Sequence, residues 1–479
     1  MDDELARLDA TAQADLVRRR EVTPAELVEA SIARIEALNP QLNAVIHSLF
    51  EKARDAARSP DLPDGPFKGV PFLVKDVVCH TAGDPYHAGA RFLKEAGWVE
   101  QHDTELARRY RAAGFVFVGK TNTPEFAMSA TTEPLAYGPS RNPWNLDHST
   151  GGSSGGTGAA VAAGLAPLGH GNDMGGSIRI PASHCGLVGL KPTRARNSLA
   201  PDFGEYWGPF THEHVLTRSV RDTAAVLDAT AGPAPGDPYL APPPVRAWAE
   251  EVGVEPGRLR IGVRTDPGRG RSIDSACVSA VENTAKLLSE LAHGVAPVAL
   301  DALDAEGLGA GFGVIAGATL ARDLERWGER LGRPIVEEDL EPLNWSMAEQ
   351  GRALTASAYI AAVEAVQSYA RGVAAWWQRG FDLLLTPTAA TQPPRIGELA
   401  PLGDPQTVMA GMLACTAFTT PFNATGQPAI SLPLHLSEQG LPVGIQLVAG
   451  TGREDVLIRV GSQLENASPW SGRLPAIHA

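Results

Sequence analysis

The chain has 479 residues, 43% of them hydrophobic and 20% charged. That is the balance of a water-soluble globular protein with room for one large domain or up to about three ordinary ones. With 41 basic and 55 acidic residues the net charge is −14, a sign that repels phosphate backbones and anionic lipid and argues against nucleic-acid and membrane-surface partners.

Other bulk features agree. Cys79, Cys185, Cys277 and Cys415 lie far apart with no Cys-x-x-Cys pair, as expected of free thiols in a reducing compartment. The acidic N-terminus lacks the basic, then apolar, character of a signal peptide. No uncharged apolar run reaches the length of about 18 residues needed to span a membrane. The expectation is a cytoplasmic protein.

Residues 1–60 read as helices with a packing or dimer-contact role. Thr23-Pro24-Ala25-Glu26 joins a capping threonine, a first-turn proline and a capping-box glutamate. Val28, Ile32 and Ile35 then share one helical face, and Pro40 marks the exit. From Val70 to about Leu190, apolar runs alternate with helical patterns. Strands are expected at Val70–Val74, Phe115–Val118 and Leu187–Leu190, and helices at Leu106–Ala113 and Gly158–Leu165. Such alternation predicts an α/β sheet covered on both faces.

The middle third differs. Pro233–Pro244 reads as a linker or surface loop, Arg260–Val263 as a strand and 273–293 as a helix. Residues 306–330 begin rich in glycine and alanine and become a charged helix. The α/β pattern returns at 381–387, 429–433 and 444–448. One domain over 1–479 is expected, with helices at 1–60, a sheet core from 65–232 and 380–479, and a variable elaboration at 233–379 shaping a pocket. Tyr206, Trp207 and the glycine-rich 309–317 segment are candidates for its lining.

The chemistry concentrates in Gly151-Gly152-Ser153-Ser154-Gly155-Gly156 and Gly175-Gly176-Ser177-Ile178-Arg179-Ile180-Pro181. Glycine at this density suits a backbone that turns sharply or approaches another group closely. Bare N–H groups beside a serine hydroxyl suit acyl transfer, whose tetrahedral oxyanion needs preorganised donors. Upstream, Lys75 ends an apolar run that predicts a strand buried on both faces. Burial lowers a lysine pKa and frees the neutral amine to act as a base. Alternation sends Asp76 to the opposite face, so it is not the obvious counter-ion of Lys75.

Three formal matches are set aside. Gly114 to Thr121 fits the letters of a phosphate-binding loop, but its intervening residues are strand-forming. His212-Glu213-His214 lacks the second histidine of a zinc-binding helix and reads as loop. Gly152-Ser153-Ser154-Gly155-Gly156 fits a hydrolase nucleophile elbow at Ser154, with His212, His214, His293, His435 or His478 as partner. That elbow leaves the second glycine-serine turn unexplained.

The combination resembles the amidase signature family. Lys75 at a Lys-Asp strand end, the turn at Ser153 and the segment 171–181 occur in that family's order and spacing. The likeness extends to 119–126, 189–193 and 421–428, most of the chain outside the middle third. The resemblance implies a central mixed β-sheet between helices and a Ser-Ser-Lys triad. Ser177 is then the nucleophile, Ser153 a bridging serine after a cis peptide bond, and Lys75 the base. The backbone N–H groups of Met174, Gly175, Gly176 and Ser177 form the oxyanion hole, while Ser154, Asp173 and Arg179 support the loop. No cofactor or metal is implied.

Asn172 is a departure, since many members carry threonine there. With the segment Asp9–Ala14, it makes the chain look closest to the branch of nylon-oligomer (6-aminohexanoate cyclic dimer) hydrolases. The expected activity is hydrolysis of C(O)–N bonds in small non-peptide amides of nylon-oligomer, anilide or urethane type, with esters also accepted. The expected partner is a small molecule, with a homodimer possible. The rivals are a glutamine amidotransferase subunit of a tRNA-dependent complex, an esterase with a Ser-His-Asp triad, and a binding module that has lost catalysis. The last should have lost a triad member, and none is lost.

Overall fold

The computed structural model describes residues 2–479. Its thirteen strands are β1 (Val45–Ser48), β2 (Pro71–Lys75), β3 (Val116–Thr121), β4 (Arg141–Asn142), β5 (Asn145–Ser149), β6 (Leu168–Asp173), β7 (Val188–Lys191), β8 (His212–Thr217), β9 (Arg260–Val263), β10 (Gly294–Pro297), β11 (Leu383–Pro387), β12 (Ala429–Leu436) and β13 (Pro442–Ala449). Eleven of them make one mixed sheet in the order β1-β3-β2-β6-β8-β7-β12-β13-β11-β9-β10, and β4 and β5 form a separate ribbon. β2 lies parallel to both β3 and β6, while β8 is antiparallel to β6.

Strand β2 explains why the sheet is covered on both sides. Phe72 and Val74 pack with Tyr110, Phe115 and Val226, residues carried by the helices Glu105–Ala112 and Val220–Thr230 and the start of β3. Leu73, on the opposite face, packs with Ile32, Val118 and Ala159, under the helices Pro24–Leu42 and Gly155–Ala162. Alternation along one strand therefore feeds two cores. All five residues of β2 are buried, including its terminal lysine.

Several expectations are met closely. The capping box of Thr23 and Glu26 is formed in full. The Gly114–Thr121 segment is strand β3 rather than a phosphate loop. Asp9 caps the helix Ala10–Arg18, and the buried Asp222 carboxylate receives the N–H groups of Ala10 and Thr11, tying that helix to the sheet's cover.

Other expectations are corrected. Pro40 does not end its helix, which runs to Leu42 and stops at Asn43 in the left-handed conformation. Residues 1–60 also hold the edge strand β1. His212-Glu213-His214 is not loop but the fully buried start of β8. The middle segment is more than an elaboration, because β9 and β10 extend the main sheet beside β11. The glycine-rich stretch after 306 is one helix with its charged continuation, Leu308–Leu331. The four cysteines are buried and unpaired. Among the described residues no helix is long and apolar enough to cross a membrane.

Candidate active site

The sheet brings the three signature segments together. β2 ends on Lys75, and its parallel neighbour β6 ends on Asn172 and Asp173. Beyond β6 the chain turns through residues 174–178 into the helix Arg179–Cys185. The turn carrying Ser153 precedes the helix Gly155–Ala162, whose cover over β2 sets the serine against the strand end.

Lys75 is wholly buried, at 0% exposure, as is Ser153. Its Nζ lies 2.7 Å from Ser153 Oγ and donates to Asn172 Oδ1 at 2.5 Å. Asn172 is itself fixed, since its Nδ2 donates to the carbonyl of Val77 at 3.0 Å. The residue that departs from the commoner threonine is thus one of two side chains gripping the amine. Burial pushes Lys75 down to about 7, against the opposing pull of the Glu213 and Asp173 carboxylates. Asp76 lies on the other face, as alternation requires, and its Oδ1 pairs with Lys120 Nζ at 2.6 Å. Lys75 is left without a carboxylate partner of its own, which keeps its amine readily deprotonated.

The peptide bond between Gly152 and Ser153 is cis. A β-carbon at Gly152 would meet the backbone oxygen of Thr131 at 2.5 Å, so only glycine fits. Ser154 donates its hydroxyl to the carbonyl of Asn172 at 3.3 Å, and its N–H donates to the carbonyl of Ser177 at 3.3 Å. The two serine turns are thereby locked to each other and to β6. None of the nominated histidines hydrogen-bonds Ser154. His212 engages the carbonyl of Phe210, His214 that of Thr223, His293 the side chain of Gln463 and His478 the carbonyl of Ala479.

The 173–178 loop is held from below. Arg179 is fully buried and donates to both oxygens of Asp173, at 2.8 and 2.9 Å. It also donates to the carbonyl of Thr419, to Gln446 Oε1 and to Asn423 Oδ1. Burial alone would raise the Asp173 carboxyl, but the Arg179 guanidinium wins and holds it well below the usual carboxylate range. The second oxygen of Asp173 also receives the N–H of Ile178.

This anchoring orients the backbone. The carbonyl of Gly175 accepts from the hydroxyls of Thr419 and Thr420, at 2.5 and 3.1 Å. In a trans peptide the N–H points opposite the carbonyl, so the N–H of Gly176 faces away from those threonines. Among the described residues, the N–H groups of Met174, Gly175, Gly176 and Ser177 have no protein acceptor. Buried backbone donors are almost always paired. Here four in succession lie free beside the serine, Gly175 being partly open to the cleft. Gly176 has φ +140°, and a β-carbon there would meet Thr419 Oγ1 at 2.4 Å.

A cleft of about 540 Å³ opens on Ser177, which keeps 8% exposure. Trp207 lines it as expected. So do Gly309, Phe312, Gly313 and Ala316, spaced as one face of their helix. Tyr206 does not; its hydroxyl is buried against Asp323 Oδ2 at 2.7 Å. Two features were missed in the sequence. Five of the six methionines (Met128, Met174, Met347, Met409 and Met412) line the cleft. Arg264, Arg269 and Arg271 also reach it, with Arg264 gripped by both oxygens of Asp304. Scattered methionines and arginines carry no local spacing signal, so only the folded chain collects them.

The comparisons give the class of protein, a hydrolase of amide C–N bonds. The Amidase family model matches residues 26–458, and the chain belongs to that family, as an amidase. It is 47% identical to the 6-aminohexanoate-cyclic-dimer hydrolase of Paenarthrobacter ureafaciens over 98% of this chain and 96% of that protein. The solved structure of a 6-aminohexanoate cyclic dimer hydrolase superposes with a TM-score of 0.94, at 46% identity over 98% of this chain and 99% of that one. A bacterial aryl acylamidase superposes with a TM-score of 0.90, at 26% identity over 98% and 99% of the two chains.

Removing Arg179 should be severe. In Arg179→Met the Asp173 carboxylate is left buried and unpaired, a defect that costs about 3–5 kcal/mol. Denaturant unfolding should record that loss, with Arg179→Lys intermediate because an amine cannot grip both carboxylate oxygens. Unchanged stability in Arg179→Met would contradict the anchoring role.

Proposed function

We propose that the chain hydrolyses the amide bonds of small ω-amino-acid oligomers, cyclic ones foremost, through an acyl-enzyme formed on Ser177 with Ser153 and Lys75 as a proton relay. The observation that carries this reading is the contact between the buried Lys75 amine and Ser153, next to a turn of four unpaired N–H groups. Neutral Lys75 takes the proton of Ser153, which takes that of Ser177 as its oxygen attacks the carbonyl carbon. The carbonyl π pair moves to oxygen, and the N–H groups at 174–177 receive the oxyanion. Collapse expels the amine, whose nitrogen takes a proton from Ser153 as the Lys75 ammonium reprotonates that serine. Water then repeats the sequence on the acyl-enzyme and releases the acid.

The substrate class rests on the cleft and on the relatives. Methionine walls with Trp207 and Phe312 suit a polymethylene chain, because thioether side chains adapt to an unbranched ligand. The similarity to cyclic-dimer hydrolases points to 6-aminohexanoate oligomers. The aryl acylamidase likeness favours anilides as a second class. Urethanes and esters follow from the same acyl chemistry where the cleft admits them.

Turnover of 6-aminohexanoate cyclic dimer, p-nitroanilides and aryl urethanes should be measured for the parent and Ser177→Ala. The variant should lose at least about 10⁴-fold in kcat, as when a triad nucleophile is removed. Activity within tenfold of the parent would overturn the assignment. The amine must be unprotonated to act, so log(kcat/KM) should climb with unit slope from acid pH and level above about 7. A flat profile through that range would exclude Lys75 as the base.

A further inference from the structure

Away from the cleft, three side chains from three loops converge. His80 lies shortly after β2, His102 just ahead of the helix Glu105–Ala112, and Asp202 in the loop between β7 and β8. His80 Nε2 lies 2.8 Å from Asp202 Oδ2, and His102 Nε2 lies 3.1 Å from Asp202 Oδ1. One ligand atom from each residue falls within 4.8 Å of the others. The amidase mechanism uses none of them.

The protonation pattern is informative. His80 Nδ1 sits 2.9 Å from the carbonyl oxygen of His102. A carbonyl can only accept, so this nitrogen carries hydrogen, and Nε2 of a neutral ring presents a lone pair. That lone pair faces a carboxylate oxygen, an acceptor against an acceptor. The contact requires a positive centre between them, either a second proton or a metal ion. His102 Nε2 faces the other oxygen, with its ring centroid 4.8 Å from that of His80. One dication placed among the three would satisfy both ring nitrogens and the carboxylate.

We infer that His80, His102 and Asp202 form a binding site for a divalent transition-metal ion of the zinc type, with one coordination position left for water. Imidazole and carboxylate donors suit zinc, cobalt and nickel, while magnesium and calcium take oxygen ligands. A tetrahedral ion with ligands at about 2 Å sets its donors about 3.3 Å apart, near the two contacts to Asp202, and all the ligand atoms lie within 4.8 Å of one another. The His80 Nδ1–H···O=C bond is the outer hydrogen bond that metal-bound histidines usually make. The loops are already joined, since Thr104 N–H donates to the carbonyl of His80 and Glu105 N–H to that of Ala200. His80 is buried, and the other two side chains remain partly open, giving an ion access. Nearby Cys79 is not one of the converging groups, and its sulfur lies 3.4 Å from Thr104 Oγ1. The role is structural: the ion would brace the chain that leaves the catalytic lysine strand.

The test uses the full chain without an affinity tag, stripped with chelator. Zn²⁺ is titrated by calorimetry, and Co²⁺ is followed by its visible absorption. One equivalent should bind, with the cobalt spectrum of a low-coordinate site, and Zn²⁺ should raise the thermal midpoint. In His102→Ala and in Asp202→Ala, affinity should fall about 100-fold or more, and the thermal shift should vanish while basal turnover persists. Two results would overturn the proposal. Absence of stoichiometric binding would mean that protons alone hold the cluster, and equal affinity in both variants would place the ion elsewhere.

Discussion

Lys75 carries an ammonium-forming group at 0% exposure, gripped by Ser153 and Asn172 and without a carboxylate of its own. Water would hold such a group charged, and burial removes that support. Much of the surrounding architecture follows from keeping the amine dry. β2 is buried on both faces, the helix Gly155–Ala162 roofs the strand, and the charge of Lys120 is spent on Asp76 across the sheet. The acids that oppose the shift, Glu213 and Asp173, each already have a partner, in His170 and Arg179. Their remaining pull is too small to restore the ordinary lysine value.

The second half of the site depends on a different balance. The N–H groups of residues 174–177 have no protein acceptor among the described residues, so the loop is held through its carbonyls and flanking side chains. Asp173, Arg179 and Asn423 provide a buried network with every guanidinium nitrogen engaged, and Thr419 and Thr420 hold the carbonyl of Gly175. Fully satisfied networks of this kind are rigid, and rigidity lets donors meet developing charge without reorganising.

Much of this was legible in the sequence, for identifiable reasons. Strands buried on both faces read as unbroken apolar runs, which is why β2 and β3 stood out. β6 did not, because Leu168-Gly-His-Gly-Asn-Asp173 is polar and glycine-containing. Its burial is made possible by tertiary partners such as Glu213 for His170. The same blindness hid His212-Glu213-His214, whose polar side chains are satisfied across the sheet. Gly309, Gly311 and Gly313 masked a helix by their low propensity, and only Gly311 has a close neighbour, since a β-carbon there would meet Val366 Cγ2 at 2.7 Å. Pro40 failed as a stop signal: its missing N–H forfeits the bond to the carbonyl of Glu36, yet the helix runs two residues further, to Leu42. The glycine-serine turns, by contrast, carry their chemistry locally, and their roles could be argued before any fold was known. The cleft walls could not, because they assemble from distant helices.

The account stands or falls on the protonation of one amine. In enzyme labelled with ¹⁵N at lysine side chains, with Lys75→Met identifying the signal, an NMR titration would follow it directly. The account predicts a midpoint near about 7, with the neutral amine dominant above it. A midpoint near the ordinary 10.5 would leave Lys75 charged at working pH and contradict its assignment as the base.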